Sequence, residues 1–171
     1  PVSAAPQASP ALLRLQVQGL QVLGLPAGAS TSAAPGLQVQ ILKRRGPPLV
    51  QALDLPGCHP RLAQALAAQL TREGFSASAT TDLPGACASA DIVSCATMAN
   101  EPVVRGSWLA PGAHLDLIGS FTPAMREADD ACFEHARIFV DTDEALAKSG
   151  DLLVPMQHGV FSANEVRGTL T

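Results

Sequence analysis

The sequence has few aromatic residues, few charges and no long apolar runs, and each shortage excludes a class of protein. Its 171 residues include one Trp and no Tyr, so we expect a core of Leu, Val, Ile and Ala. With 11 Lys and Arg against 15 Asp and Glu, the net charge of −4 leaves no basic footprint for nucleic acid. No apolar run approaches the roughly 18 residues of a membrane span, and no secretory leader is evident. We therefore expect a cytoplasmic protein that binds neither nucleic acid nor a membrane.

The cysteines are widely spaced and form no Cys-x-x-Cys motif, which argues against a metal or redox site. They stand at Cys58, Cys87, Cys95 and Cys132. We expect them to be buried small apolar residues in a reducing compartment. The histidines share no spacing typical of metal ligands, so no metal is predicted.

The composition changes near residue 58. Residues 1–57 are rich in Ala, Pro, Gly, Gln and Ser and poor in charge, and Leu-Gln-Val recurs three times within them. Two alternating runs, at 13–25 and 36–42, are typical of strands, and the Pro- and Ser-rich stretch between them is typical of a loop. We predict an atypical segment over 1–57 that contributes the first strand or strands, and an ordered portion over 58–171.

From residue 58 onward, strand patterns alternate with helix patterns. Leucines recur every fourth residue after Pro60, and Gly74 stands where such a helix would end. The predicted strands lie at 75–80, 92–96, 115–118 and 137–140, and the later helices at 83–88 (capped by Asp82), 129–136 and 143–148. This alternation indicates an α/β fold with a parallel sheet and right-handed crossovers.

Two apolar runs in the middle of the sequence stop at small or polar residues. Ile92–Ala96 ends at Thr97, and Leu115–Ile118 ends at Gly119 and Ser120. Buried parallel strands are nearly continuous in apolar residues, and ligands bind just past their carboxyl ends. The two runs therefore predict neighbouring strands that end at a ligand crevice.

The stretch from Ala90 to Asp130 also carries a family resemblance. It contains ADIVSCAT at 90–97, EPVVRGSWLAPGAH at 101–114 and LDLIGSFTPAMRE at 115–127. This succession resembles the ornithine cyclodeaminase/mu-crystallin family, and the similarity extends from about Pro60 to the end of the chain. The form GSFTPAMRE is most similar to the branch that reduces ketimines such as Δ1-pyrroline-2-carboxylate.

The resemblance implies a fold, a cofactor and an activity. The fold would be a Rossmann-type parallel sheet flanked by helices, incomplete here, with the family's substrate and dimerisation domain largely absent. The cofactor would be NAD or NADP, which performs hydride transfer at a carbon–nitrogen centre. The expected activity is reduction of a cyclic imino acid, Δ1-pyrroline-2-carboxylate or Δ1-piperideine-2-carboxylate, within amino-acid metabolism. The full-length family would form homodimers.

The resemblance also implies which residues contact the cofactor. They follow the two crevice strands: Ala96, Thr97 and Met98 after the first, and Ile118, Gly119, Ser120 and Phe121 at the end of the second. In the cyclodeaminase branch, an aspartate proposed as catalytic occupies the position of Phe121. Phenylalanine cannot exchange a proton, which argues against ornithine cyclisation. No catalytic residue is assigned.

Several polar residues permit more ordinary interpretations. Arg126 and Glu127 match the family's Arg-Glu pair, for which a surface ion pair or a loop anchor is as reasonable as catalysis. His114 is expected to be a polar residue at the start of a strand. Asp151 is expected to have a capping or loop role.

The family's glycine-rich phosphate turn has no match in residues 1–57, and the glycines at 24 and 28 do not have the G-x-G-x-x-G spacing. Residues 1–57 are then either a divergent form of the first strand and helix or sequence unrelated to the family, and their composition favours the second. Two alternatives to reduction stay open. One is an inactive fragment from a truncated or frame-shifted coding region, and the other is ornithine cyclodeaminase or alanine dehydrogenase activity.

Overall fold

A computed structural model of the chain describes residues 13–17, 38–43, 49–53 and 60–170. Seven strands and four helices follow one another within these ranges. The strands are β1 (Leu13–Val17), β2 (Gln38–Lys43), β3 (Leu49–Leu53), β4 (Ser76–Thr80), β5 (Ile92–Ala96), β6 (His114–Leu117) and β7 (Ala136–Val140). The helices are α1 (Pro60–Arg72), α2 (Leu83–Ala88), α3 (Ala145–Lys148) and α4 (Gly150–Gln157), with 3-10 turns at Gly106–Trp108, Asp130–Cys132 and Ala163–Glu165.

The strands form one sheet in the order β4-β3-β2-β5-β6-β1-β7. The predicted α/β class is confirmed, and six of these strands run in one direction. The sheet departs from the parallel arrangement at one strand, β2, which is antiparallel to both β3 and β5. The stretch from 44 to 48 between β2 and β3 is too short for a parallel crossover, which takes about a dozen residues or more. The two strands therefore pair as antiparallel neighbours.

The sheet draws strands from both sides of residue 58. β1, β2 and β3 precede that position, and the other strands follow it. The division of the chain into an atypical segment and an ordered portion stays a prediction. The glycines at 24 and 28 lie outside the described residues.

The core lies on one face of β5, β6 and β7. Alternate residues of these strands are buried against residues of α2 and α4, and Phe133 stacks on Phe161 with ring centroids 5.7 Å apart. Three of the four cysteines, Cys87, Cys95 and Cys132, are buried and free, as predicted. The fourth, Cys58, lies outside the described residues. No helix in the described part of the chain is long and apolar enough to cross a membrane.

The helix predictions hold where local signals dominate. Helix α1 begins at Pro60, and Gly74 beyond its end has a φ of +94°. Asp82 caps α2 by accepting a hydrogen bond from the amide of Gly85 at 3.0 Å. The helix expected over 143–148 is present as the shorter α3.

The helix expected over 129–136 is wrong, because only a 3-10 turn forms there. Tertiary contacts outweigh helix propensity in this segment. The Asp129 carboxylate accepts from the amide of Gly106 at 2.8 Å, and a Cβ on Gly106 would lie 2.4 Å from the backbone carbon of Ala131. Conversely, α4 is missed by the sequence, since Gly150 and Pro155 both disfavour a helix.

Candidate functional site

The ends of β5 and β6 meet at one edge of the sheet, as predicted. The two strands are parallel neighbours, and the amide of Ile118 donates to the carbonyl of Cys95 at 2.8 Å. The segments 96–99 and 118–121 therefore leave the sheet side by side. We call the edge formed by these two segments the crevice.

A buried carboxylate, that of Glu127, joins the two sides of the crevice. One oxygen, Oε1, accepts from the amide of Thr97 at 2.5 Å and from its hydroxyl at 2.7 Å. The other oxygen, Oε2, accepts from the amide of Gly119 at 2.7 Å. Glu127 is fully buried, so these donors replace the water that its carboxylate would otherwise bind. One side chain thus holds the end of β5 against the end of β6.

The close approach of the two strand ends requires glycine at position 119. A Cβ there would lie 2.5 Å from Glu127 Oε1, 2.6 Å from the amide nitrogen of Thr97 and 2.7 Å from that of Met98. Met98 itself has a φ of 52°, a left-handed conformation that non-glycine residues rarely adopt. Such strain costs of order 1–3 kcal/mol and is retained where the surroundings impose it.

A second buried carboxylate lies behind Glu127. Asp151 Oδ1 accepts from the amides of Glu127 and Ala128 at 2.9 and 3.0 Å. Its Oδ2 is buried without a hydrogen-bond partner in the described part of the chain. Burial raises the pKa of Asp151 to about 7, and the nearby charge of Glu127 acts in the same direction. Of the expected capping or loop role, the capping part is wrong, because the donors are loop amides at 127 and 128 and not amides of α4.

The seven predicted cofactor-binding residues divide by exposure. Three line the crevice with exposed surface: Ala96, Met98 and Phe121, the last two with 42% and 49% of their surface accessible. The buried members are Thr97, Gly119 and Ser120, and Ile118 is half-buried. The Thr97 hydroxyl is engaged by Glu127, and Ser120 Oγ donates to the carbonyl of Met125 at 2.7 Å. The three exposed residues present the most side-chain surface to a ligand.

The other polar residues have structural partners. Arg126 forms an ion pair with Asp130, whose second oxygen lies 2.7 Å from His158 Nδ1. Burial acts to raise the pKa of Asp130, but the hydrogen bonds from His158 and Arg126 outweigh it and lower that pKa. The surface ion pair expected for the Arg-Glu motif thus involves Arg126, and the loop anchor is Glu127.

A shallow groove of about 150 Å³ lies elsewhere, lined by Gly106, Leu109, Ala110, Pro111, Ala131, Cys132, His135 and Ala136. Ala136 is the first residue of β7 and the others precede β6 or β7, so the groove is at the amino ends of those strands, opposite the crevice. It is smaller than the roughly 300 Å³ at which ligand pockets begin. Among the described residues, no group of three His, Cys, Asp or Glu side chains could hold a metal.

This arrangement of segments matches a known family over nearly the whole chain. The family model described as "Ornithine cyclodeaminase/mu-crystallin family" matches residues 15–169. The chain belongs to this family. The match begins within β1 and ends beyond α4, so it contains every residue of the crevice.

Two of the relatives that the chain resembles are named as reductases. Over 124 residues the chain is 43% identical to a Δ1-pyrroline-2-carboxylate reductase of Paracoccus denitrificans, a match that covers 72% of this chain and 39% of the relative. It is 43% identical over 70 residues to the ketimine reductase mu-crystallin of Rattus norvegicus, covering 40% and 22% of the two chains. The chain therefore spans well under half the length of these relatives.

Solved structures show the same fold. A Thermococcus litoralis Δ1-pyrroline-2-carboxylate reductase in complex with NADH and L-proline superposes with a TM-score of 0.66 at 20% identity, over 95% of this chain and 47% of that one. An archaeal alanine dehydrogenase dimer with bound NAD gives 0.63 at 27% identity, over 71% and 36%. The iminosuccinate reductase of Paracoccus denitrificans with NAD⁺ gives 0.60 at 25% identity, over 66% and 34%.

Replacing Gly119 by Ala tests the close approach of the strand ends. The new methyl group would overlap Glu127 Oε1 and two backbone nitrogens, so we expect a loss of about 1–3 kcal/mol in the free energy of unfolding. Urea denaturation measures it. Gly168→Ala is the matched control, because nothing lies within 4 Å of a Cβ at that position. Equal stability of the two variants would contradict the close packing at Gly119.

The raised pKa of Asp151 predicts that stability depends on pH. Its pKa is about 7 in the folded chain against 3.8 for a free carboxyl, so the folded state binds the proton more tightly. The resulting stabilisation is complete below pH 4 and is lost as the pH rises to about 7, by at most about 1.4 kcal/mol per unit. Asp151→Asn should flatten this slope in urea denaturation between pH 4 and 7. The exposed Asp143→Asn should keep it, and an unchanged slope in Asp151→Asn would refute the assignment.

Proposed function

We propose that the chain is the cofactor-binding portion of an NAD(P)H-dependent reductase of a cyclic imino acid, with a ketimine such as Δ1-pyrroline-2-carboxylate as its substrate class. One observation carries the proposal. This chain belongs to a family of nicotinamide-dependent enzymes, and its crevice, which Glu127 holds together, exposes the side chains of Ala96, Met98 and Phe121. We extend the proposal to a homodimer acting in the cytoplasm in amino-acid metabolism, supported by the archaeal alanine dehydrogenase dimer and by the free buried cysteines.

Phe121 favours reduction over cyclisation. It lies at the crevice with half of its surface exposed, at the position where the cyclodeaminase branch is expected to carry its catalytic aspartate. A phenylalanine supplies an apolar surface and no proton. The relatives named as Δ1-pyrroline-2-carboxylate and ketimine reductases support the same choice.

The crevice residues fit the nicotinamide end of a dinucleotide. Ala96, Met98 and Phe121 offer apolar surface that a flat ring can contact, and Gly119 allows the ends of β5 and β6 that carry them to lie close together. The amides of Thr97 and Gly119 already bind Glu127, so neither is free for a phosphate. The strand between β3 and β5 is β2, which is antiparallel to β5, so its carboxyl end lies at the edge of the sheet opposite the crevice. The pyrophosphate is therefore without a cradle among the described residues.

The reduced nicotinamide of NAD(P)H, when bound, would supply the hydride that reduces the imine carbon. The residues of the chain bind and orient it. Met98 and Phe121 would shield a bound nicotinamide from water, and Thr97, Gly119 and Ser120 fix the backbone on which they stand. None of the three exposed crevice side chains can donate a proton, so the residue that protonates the product nitrogen is not assigned.

A second candidate is a family member that has lost catalysis. The antiparallel β2, in place of a strand that leads into a phosphate-binding helix, favours this alternative. So does the absence of a glycine-rich turn in the sequence, because the pyrophosphate gains most of its backbone contacts there. This candidate predicts that the chain binds nucleotide only weakly.

Nucleotide titration distinguishes the two candidates. We expect NADH or NADPH to bind the 171-residue chain, detected as a change in nucleotide fluorescence, and Phe121→Ala to weaken binding about fivefold through lost apolar contact of about 1 kcal/mol. Phe75→Ala is the matched control. Phe75 is as exposed as Phe121, and it lies just before β4, the outermost strand of the sheet, away from the crevice. Turnover is then measured with the whole protein that contains this sequence, as oxidation of NADPH by Δ1-pyrroline-2-carboxylate.

The outcomes separate clearly. Weaker binding in Phe121→Ala alone supports the crevice as the cofactor site. Equal effects of the two substitutions would place the cofactor elsewhere. No measurable binding to the wild-type chain, together with no turnover by the whole protein, would favour the non-catalytic candidate.

A further inference from the structure

Three consecutive residues, Ser149-Gly150-Asp151, support the loop that links the crevice to Glu127. We call them the anchor tripeptide and residues 120–128 the crevice loop. Ser149 Oγ donates to Ser120 Oγ at 3.0 Å, the amide of Gly150 donates to the carbonyl of Thr122 at 3.1 Å, and the amide of Asp151 donates to Ser120 Oγ at 3.2 Å. The tripeptide therefore binds the amino-terminal end of the crevice loop.

The Asp151 carboxylate binds the other end of the same loop. Its Oδ1 accepts from the amides of Glu127 and Ala128, the residues at which the loop closes. Gly150 completes the contact, because a Cβ there would lie 2.2 Å from the carbonyl oxygen of Met125. Both ends and the middle of the crevice loop thus rest on the start of α4.

Asp151 is placed differently from a capping residue. A carboxylate in the first turn of a helix ordinarily accepts from that helix's own amides. Here both donors belong to the crevice loop, the side chain is fully buried, and Oδ2 has no partner within the described ranges. The hydrogen bonds of the Asp151 carboxylate therefore stabilise the crevice loop and not the start of α4.

We propose that Asp151 is a positioning residue for the crevice, which fixes the backbone of Glu127 and so sets where the Glu127 carboxylate holds Thr97 and Gly119. Its effect on cofactor binding rests on the function proposed above. Its effect on the ends of β5 and β6 is independent of that function, because Asp151 acts on them through hydrogen bonds within the chain. The geometry also makes the position of the crevice sensitive to the charge of Asp151.

Few charged groups face Asp151. Glu127 and Arg126 face it from the crevice loop, the first raising and the second lowering its pKa. The thiols of Cys95, on β5, and Cys132, in the 3-10 turn, are buried, and burial raises the pKa of both. The thiols stay neutral near pH 7, so among these groups Asp151 is the one whose charge we expect to change there.

Amide chemical shifts test the proposal without a cofactor. In ¹⁵N-labelled wild-type chain, we expect the amide signals of Thr97 and Gly119 to shift with pH, with a midpoint close to the value of about 7 for Asp151. Asp151→Asn keeps an oxygen for both loop amides but cannot ionise, so the shift should vanish while the low-pH positions are retained. The exposed Asp143→Asn is the control and should titrate like wild type.

A second test removes the Asp151 carboxylate as a hydrogen-bond acceptor. Asp151→Ala leaves the amides of Glu127 and Ala128 without Asp151 Oδ1, so the signals of Thr97 and Gly119 should move at every pH, and any nucleotide affinity should fall about tenfold. At pH 6, Asp151→Asn should keep the wild-type affinity within about twofold. If Asp151→Ala does not fold, the titration of Asp151→Asn alone decides.

Two results would overturn the proposal. One is a titration of Thr97 and Gly119 that persists in Asp151→Asn, which would assign it to another group. The other is a folded Asp151→Ala variant in which both amide signals are unmoved. If wild-type chain binds no nucleotide, the proposed function fails, while the amide signals still decide the role of Asp151.

Discussion

The carboxylate of Glu127 bridges two strands that the backbone ladder no longer joins. Hydrogen bonding between β5 and β6 ends with the amide of Ile118, and beyond that point the chains would diverge into separate loops. Glu127 supplies acceptors at the next positions along both chains, Thr97 and Gly119. Bonds to an ionised acceptor are about twice as strong as neutral ones, and a buried carboxylate that lost them would be costly. The crevice therefore keeps its shape only while Glu127 stays in place.

The other unusual features of the site follow from this bridge. Gly119 is required because the carboxylate and two backbone nitrogens fill the space of a side chain. Met98 takes a left-handed conformation immediately after the residue that Glu127 binds. Asp151 is buried because the amide of Glu127 needs an acceptor. Apolar side chains remain at the surface of the crevice, while its polar groups are turned inward to hold it.

Sequence patterns predicted the parts of this structure that depend on local chemistry. Strand β5 was predicted with its observed bounds, β6 within one residue, and Asp82 as the cap of α2. The crevice followed from the two apolar runs that stop at Thr97 and Gly119. The seven residues expected to contact a cofactor all lie at that edge, and their contact with a cofactor stays a prediction.

What the sequence did not predict depends on contacts between distant residues. Glu127 and Asp151 lie 30 and 54 residues beyond Thr97, and nothing local marks a carboxylate as buried; the Arg-Glu pair was the available signal, but it indicated a surface ion pair equally well. The direction of β2 depends on the short stretch before β3. The helix expected over 129–136 fails because Asp129 binds Gly106, an interaction across 23 residues.

The most direct test of the bridge is hydrogen exchange at Gly119 in Glu127→Gln. The glutamine oxygen should stay with Thr97, which offers it two donors, and its NH₂ group would then face the amide of Gly119. We predict that exchange at Gly119 becomes at least about tenfold faster, while Ile118, bonded to Cys95, is unchanged. The exposed Glu101→Gln should leave both amides as in the wild type. Unchanged exchange at Gly119 in Glu127→Gln would contradict the claim that this carboxylate holds the crevice together.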